Sequence, residues 1–266
     1  MDNNRTILGV VGLITFALVF LFNYQVGASP APWSTTGKPV AWAIWADAVK
    51  MLAPFATSLC LLYQGFFGNI LDSLKSTVKL LGLGTLLLGI GILLEFLAHL
   101  VGIDAPTSSA SSVFYICGVF LVIWAFFSFP VRLGYEMSRK QKIFFTIIVV
   151  VLSLVTLFIM FFPFMGHPDK LVAEFGYHDA MIASLYVISV VIFFAAVLRL
   201  AILFAKSKIG RPFRFFAASG FLIVAYEYYV WFPYTPNISV FNMINLFWIV
   251  GFLLGMVGGF DLTLQS

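Results

Sequence analysis

The sequence predicts an all-α integral membrane protein with eight transmembrane helices, arranged as two parallel four-helix repeats. Hydrophobic residues make up 62% of the 266 residues and charged residues only 10%. Soluble domains average about 45–50% apolar and about 25% charged residues. The apolar residues fall into runs near the ~20 residues that a helix needs to cross a bilayer. Acidic residues also recur at a fixed separation of 132 positions, which indicates an internal repeat.

The predicted helices follow from the apolar runs, which lie at 7–27, 42–67, 79–101, 112–131, 142–164, 179–204, 213–233 and 241–260. Helices satisfy every backbone polar group within the segment, and these runs are too long and too uniformly apolar for barrel strands. The second and sixth runs are the longest, so we expect them to tilt or to extend past the lipid. The first run loosely resembles a cleaved signal peptide, but it is long for one, and its removal would break the four-plus-four symmetry, so we expect a retained helix. The first and fifth runs themselves show no convincing match.

The basic residues predict that both termini are cytoplasmic. With eight helices, twelve of the 15 Lys and Arg residues fall on one side of the membrane, and basic loops mark the cytoplasmic face. The other side holds Lys38, Lys50 and Lys170 together with most of the acids. Topology and anionic lipid headgroups account for the basic face, so no nucleic-acid partner is expected.

The repeat relates residues 1–134 to residues 135–266. A shift of 132 positions matches Asp47 with Asp179, Thr57 with Ser189, Lys79 with Arg211, and Glu95 with Glu227. A shift of 133 aligns the fourth and eighth runs, where Phe114-Tyr115-Ile116-Cys117-Gly118 matches Phe247-Trp248-Ile249-Val250-Gly251. Four helices per copy is an even number, which makes the copies parallel, related by an axis along the membrane normal.

The candidate site is a layer of ionisable residues at the outer side of the membrane. Glu95 lies 16 residues after Lys79, about 24 Å along the helix axis. His99 follows Glu95 by one helical turn on the same face. Intramembrane acids usually face a cavity or a partner, and Lys50 is a candidate partner. The predicted proton- or ligand-binding residues are Glu95, Glu227, Asp47, Asp179, His99 and His178.

Several interpretations of this layer stay open at the level of sequence. Asp47 and Asp179 suit the first turns of their helices, where the helix dipole favours acids, so a structural role is one of them. A quinone or proton-accepting pocket is another, with rings from Trp45, Tyr226 and their neighbours. Those aromatic residues also fit an interfacial belt. A metal site of Glu95, His99 and His178 or a single haem between the histidines are lesser alternatives.

Function is predicted only as a class. There is no soluble domain, P-loop, GxGxxG or HExxH pattern, and no nucleophile pairs with a base. The layout resembles membrane-anchor subunits of quinone-linked oxidoreductases in architecture alone. We expect a multi-pass cell-membrane protein in the lipid bilayer, a non-catalytic anchor or quinone-contacting subunit that meets a quinone or partner subunits of an energy-converting complex. The alternative is a proton- or cation-coupled secondary transporter, and the sequence assigns no cofactor.

Overall fold

The structure, a computed structural model, is all-helical over the residues that it describes, which are 41–100, 110–161, 185, 188–205, 207, 210–230 and 238–264. Seven helices lie within these ranges, and no strand does. They are α1 (Ala41–Phe67), α2 (Asp72–Leu100), α3 (Ala110–Arg132), α4 (Arg139–Phe161), α5 (Ile188–Phe204), α6 (Arg211–Val230) and α7 (Ile238–Leu264). The first predicted run, 7–27, lies outside the described residues.

Within the described ranges, two segments are long and apolar enough to cross a membrane. They are Asp72–Ala98 in α2 and Ala110–Arg132 in α3, each with a mean hydropathy of 2.2. Shorter apolar stretches lie at Ile188–Phe204 and Leu246–Leu262. This is weak support for the predicted membrane class, and the eight spans and the two repeats remain predictions.

Helix α2 begins seven residues before the predicted run because its first turns are polar. Asp72 lies in the first turn, where the helix dipole favours a carboxylate. Its Oδ1 is 2.8 Å from Nζ of Lys75, one turn along the helix. A search for apolar residues alone starts the helix too late, since charged residues extend it beyond the apolar run.

The connection between α3 and α4 is short and tightly capped. Gly134 has a φ of 69°, and the amides of Gly134 and Tyr135 donate to the carbonyls of Val131 and Pro130, at 3.1 and 2.8 Å. This pattern is a Schellman motif. Ser138 then begins α4 with a capping box, since its amide donates to Oε1 of Gln141 at 2.9 Å. The two motifs fix the loop at residues 133–138.

Glycine residues let the backbones of neighbouring helices approach each other closely. Among the described elements, α2 packs against both α1 and α3, α6 packs against α7, and α7 packs against α1. A Cβ atom built on Gly84 would meet the Gly118 carbonyl oxygen at 2.9 Å, and one built on Gly118 would meet the Gly84 oxygen at 2.8 Å. Small residues let helices approach closely, which is the usual device for packing in membranes.

The end of the bundle that carries Lys75, Lys79, Arg132 and Arg211, called here the basic end, is filled by phenylalanine rings. Phe129, Phe204, Phe213 and Phe216 are each at most 2% exposed. The rings of Phe204 and Phe213 stack 4.1 Å apart, and those of Phe129 and Phe216 stack 5.3 Å apart. This inner phenylalanine cluster joins α3, α5 and α6. Phenylalanine therefore forms much of the core as well as the exposed surface.

Helix α4 differs from the other helices in its exposure. Its described side chains include a row of exposed apolar residues, with exposed fractions of 44–62%. The row comprises Ile143, Phe144, Ile147, Val150, Val151, Leu154 and Val155. Among the described residues, the core is built by the other six helices.

Candidate functional site

A cavity of about 40 Å³, called here the central cavity, lies where six of the seven described helices meet. Its walls are mainly apolar, with hydroxyl groups and six aromatic rings among them. The lining residues are Thr57 and Leu61 from α1; Leu81, Thr85 and Leu88 from α2; Tyr115, Val119, Val122 and Phe126 from α3; Ser189, Val190 and Phe193 from α5; Phe216, Ser219 and Ile223 from α6; and Trp248, Phe252 and Gly255 from α7.

The threonine hydroxyls of the cavity bond to backbone carbonyls. Thr57 Oγ1 lies 2.9 Å from both the Ala53 and the Phe252 carbonyl oxygens, so it links α1 to α7. Thr85 Oγ1 bonds only within its own helix, to Leu81 at 3.1 Å and Gly82 at 2.9 Å. A hydroxyl that donates its proton keeps lone pairs that accept hydrogen bonds. The walls therefore present acceptors as well as apolar surface.

Trp248 supplies an unused hydrogen-bond donor. Its side chain lines the cavity and is 1% exposed, and its Nε1–H has no acceptor among the described residues. Leaving a buried donor unpaired costs about 1–3 kcal/mol. Buried polar groups are nearly always paired, so an exception beside a cavity is a reason to consider a ligand that carries an acceptor.

Trp248 and Tyr115 line the cavity at the end opposite the basic end, and Tyr226 contacts Trp248 from outside the lining. We call these three rings the aromatic roof. Trp248 stacks on Tyr115 with centroids 6.1 Å apart, and Tyr226 lies 4.9 Å from Trp248. The Nζ atom of Lys50 is 4.9 Å from the Tyr226 centroid and 5.9 Å from that of Trp248. A cation at these distances is attracted by the ring faces. Lys50 therefore places a positive charge over the roof.

Five pairs of cavity residues are related by the shifts of the predicted repeat. Each pair has one member from each half of the chain, and both members line the cavity. At a shift of 132 the pairs are Thr57 with Ser189 and Leu61 with Phe193; at 133 they are Tyr115 with Trp248, Val119 with Phe252, and Val122 with Gly255. In a protein built from two parallel copies, equivalent residues that line one cavity lie beside the axis that relates the copies. The cavity thus occupies the place where such an axis is expected.

Towards the basic end, the cavity is closed by the inner phenylalanine cluster. Phe126 and Phe216 belong to the cavity wall, and their ring centroids are 6.4 Å apart. Phe129, Phe204 and Phe213 lie behind them and are almost fully buried. Within the described residues, this aromatic layer separates the cavity from the charged groups of the basic end.

The predicted acidic layer is described only in part. Glu95 is half-buried on α2. It lies seven residues after Leu88 of the cavity wall, which is about 10 Å along the helix axis. Asp47 is helical in α1, His99 in α2 and Glu227 in α6, but their side chains lie outside the described residues, as do His178 and Asp179 entirely. The convergence of these residues, and the metal and haem interpretations that depend on it, therefore remain predictions.

The structure departs from the sequence-based interpretation at Tyr226. We considered an interfacial belt for the aromatic residues around it, but Tyr226 is 4% exposed and contacts Trp248. Its ring belongs to the core because α6 turns this face towards α7. The other aromatic residues of that segment have no described side chains.

Asp261 is a buried acid that the sequence did not single out. Its side chain is 6% exposed, and its Oδ2 lies 3.2 Å from Nε of Arg211, which is 45% exposed. The distance fits an ion pair although the geometry does not meet that of a hydrogen bond. Gln64, also buried, has an Oε1 without a hydrogen-bond donor among the described residues. The Lys79–Arg211 match was the only sequence signal for this region.

Comparison with known proteins adds no relative. No protein-family model matches the chain, and no curated protein or solved structure matches it.

Proposed function

We propose that the protein is a non-catalytic, multi-pass membrane subunit that binds the ring of a quinone-like carrier in the central cavity. The single observation that carries this proposal is that Trp248, a residue of the apolar cavity wall, has a buried Nε1–H without an acceptor among the described residues. A quinone offers the matching chemistry, since it is a flat, apolar ring whose carbonyl oxygens accept hydrogen bonds.

The walls of the cavity support a flat, apolar ligand over a hydrated ion. Ligand pockets are mostly apolar, with a few polar groups that fix orientation, and this cavity has that character. The stacked rings of Tyr115 and Trp248 offer a face to another ring. A desolvated ion needs several oxygen ligands or an opposite charge, and the lining residues include no acid or base.

The cavity volume sets a requirement for binding. About 40 Å³ accommodates only a few atoms, so a ring enters only if a wall residue moves. Tyr115 is half-buried, whereas Trp248 is fixed between Tyr226 and Phe252, at 4.9 and 4.8 Å. We expect rotation of Tyr115 to admit the ring beside Trp248.

The aromatic layer between the central cavity and the basic end makes the alternative function, a coupled transporter, the second choice. In a proton- or cation-coupled transporter, the acidic layer must be accessible from each side of the membrane alternately. The buried phenylalanine rings give no polar route there in the described part of the chain. Proton flux into proteoliposomes that contain only this chain would favour the transporter.

A photoreactive azidoquinone tests the proposal directly. After illumination in membranes, peptide mass spectrometry should place the label on segments of α3 and α7 around Tyr115 and Trp248. An excess of unlabelled quinone should abolish this label. Label confined to the exposed row of α4, unaffected by the competitor, would mean that the quinone is only dissolved in the lipid around the protein.

The proposal also assigns the exposed row of α4 to contact with lipid or a partner subunit. A non-catalytic subunit acts through others, and an apolar helix face in a membrane suits either neighbour. Copurification of a redox subunit with the affinity-tagged chain from mild detergent would support the anchor role. Purification as a lone protein indifferent to quinone would count against it.

A further inference from the structure

We propose a second binding site, for a phosphate oxyanion of the kind carried by anionic lipid headgroups, in a cleft at the basic end. The cleft has a volume of about 290 Å³ and is lined by parts of α3, α4, α5 and the loop at 133–138. Its charged lining residues are Arg199, Lys142 and Glu136. This site is separate from the central cavity and does not depend on the proposed quinone.

Arg199 is held in the cleft wall by one hydrogen bond, which leaves other N–H donors of its guanidinium available for a ligand. Its Nη1 donates to the Phe127 carbonyl oxygen at 3.3 Å, and its guanidinium lies 5.6 Å from the Phe127 ring centroid. A guanidinium has five N–H donors in a planar fork that matches phosphate oxygens. Neither Arg199 nor Lys142 forms an ion pair with a described residue. The cleft therefore presents two cations without a fixed counter-ion in the described part of the chain.

The cleft is preformed by its loop. The Schellman motif at Gly134 and the capping box at Ser138 fix both ends of the connection. Tyr135 is held between them, with its ring 4.9 Å from that of Phe204 and its hydroxyl 3.2 Å from Ser207 Oγ. A rigid wall lowers the ordering cost of binding. The site is thus ready for a ligand without a change in the loop.

The surrounding charge and the apolar neighbours favour a lipid phosphate. Arg132, Arg139 and Lys140 are exposed next to the cleft, and Glu136 is the acid among its lining residues. Basic pockets between transmembrane helices on the cytoplasmic side bind anionic headgroups. The exposed apolar row of α4 begins at Ile143, directly after Lys142, where it meets the acyl chains of such a lipid. Free phosphate carries the same oxyanion and is the other possible source.

Intact-protein mass spectrometry of the full chain in detergent tests this site. We expect dioleoylphosphatidylglycerol to bind about 25-fold more tightly than dioleoylphosphatidylcholine, the effect of roughly two basic contacts at about fivefold each. Arg199→Gln and Lys142→Gln should each remove most of this preference. Arg132→Gln and Lys140→Gln remove the same charge outside the cleft lining and should leave it within about twofold.

Two further measurements decide the interpretation. If millimolar inorganic phosphate displaces the anionic lipid, the natural ligand is a soluble phosphate. If it does not, the natural ligand is the lipid headgroup. Circular dichroism checks that each variant is folded. If Arg199→Gln does not fold, the result for Lys142→Gln decides whether the cleft binds the anionic lipid. Equal binding of both lipids by the wild type, or an undiminished preference in both cleft variants, would overturn the proposal.

Discussion

The rings of Tyr115 and Trp248 stack on each other in the wall of the central cavity, with centroids 6.1 Å apart and planes 17° apart. The two residues are 133 positions apart and match each other in the predicted repeat. A residue that contacts its own repeat equivalent lies beside the axis that relates the copies. The stack is therefore the point where the axis of the predicted duplication would meet the proposed binding site.

Thr57 should stabilise the bundle because its hydroxyl links α1 to α7. We expect Thr57→Val to lower the free energy of unfolding by about 0.6–1.7 kcal/mol, the range for hydrogen bonds between membrane helices. Thr85→Val is the matched control, since the Thr85 hydroxyl bonds only within α2. Denaturant unfolding in detergent measures both. Equal losses would mean that the bond to Phe252 contributes nothing specific.

Gly118 should tolerate no side chain. A Cβ there would lie 2.8 Å from both the Gly84 oxygen and the Leu88 amide, so α2 and α3 must separate. We expect Gly118→Ala to destabilise the protein by about 1–3 kcal/mol. Gly255→Ala is the control, because its nearest atom is Ser219 Oγ at 3.2 Å. Thermal unfolding should separate the two variants, and equal melting temperatures would contradict the packing described here.

The Arg211–Asp261 pair should respond unequally to loss of its two members. Arg211→Gln leaves the buried Asp261 carboxylate unpaired, whereas Asp261→Asn leaves an arginine that is 45% exposed to solvent. Breaking a buried pair costs about 3–5 kcal/mol, and we expect about half of that for Arg211→Gln because the arginine is partly solvated.

Unfolding of the two single variants and the double variant gives the coupling energy. We expect the double variant to be more stable than Arg211→Gln. A larger loss for Asp261→Asn than for Arg211→Gln would show that the acid has a partner beyond this arginine.

Glu95 and Glu227 should matter for proton uptake if the acidic layer serves a quinol. Replacing either by Gln keeps the shape and removes the proton acceptor. We expect quinol oxidation by a complex that contains the chain to slow by about 10²-fold or more, the lower range for proton transfer by a side chain. Glu136→Gln, at the opposite end, is the control. Rates equal to wild type in both variants would make the layer structural.

The helices were the most predictable part of the molecule, because apolar runs of this length leave few alternatives. The predicted run 42–67 corresponds to α1 (Ala41–Phe67), and 112–131 corresponds to α3 (Ala110–Arg132). The errors lie at polar ends, as at Asp72 and Lys75, where charge rather than hydrophobicity extends the helix. Helix number and topology depend on residues beyond the described ranges and stay predictions.

The site was less predictable than the helices. Sequence reasoning favoured the layer of ionisable residues, because a charged residue within an apolar run is conspicuous. Thr57 and Ser189 matched each other at the 132-residue shift, but neither was chosen as a site residue, since a hydroxyl in a helix is usually satisfied by its own backbone. The match of Tyr115 with Trp248 at the 133-residue shift joined two residues that contact each other in the structure, while the repeat itself stays a prediction.

Quenching of tryptophan fluorescence by a short-chain quinone tests the central claim most directly. In nanodiscs, the wild type should show a saturable component of quenching above the linear one caused by quinone in the lipid. Trp124→Phe removes an exposed tryptophan, 66% accessible, and should keep this component. Trp248→Phe should abolish it. An undiminished saturable component in Trp248→Phe, or none in the wild type, would contradict the assignment of the central cavity to a quinone ring.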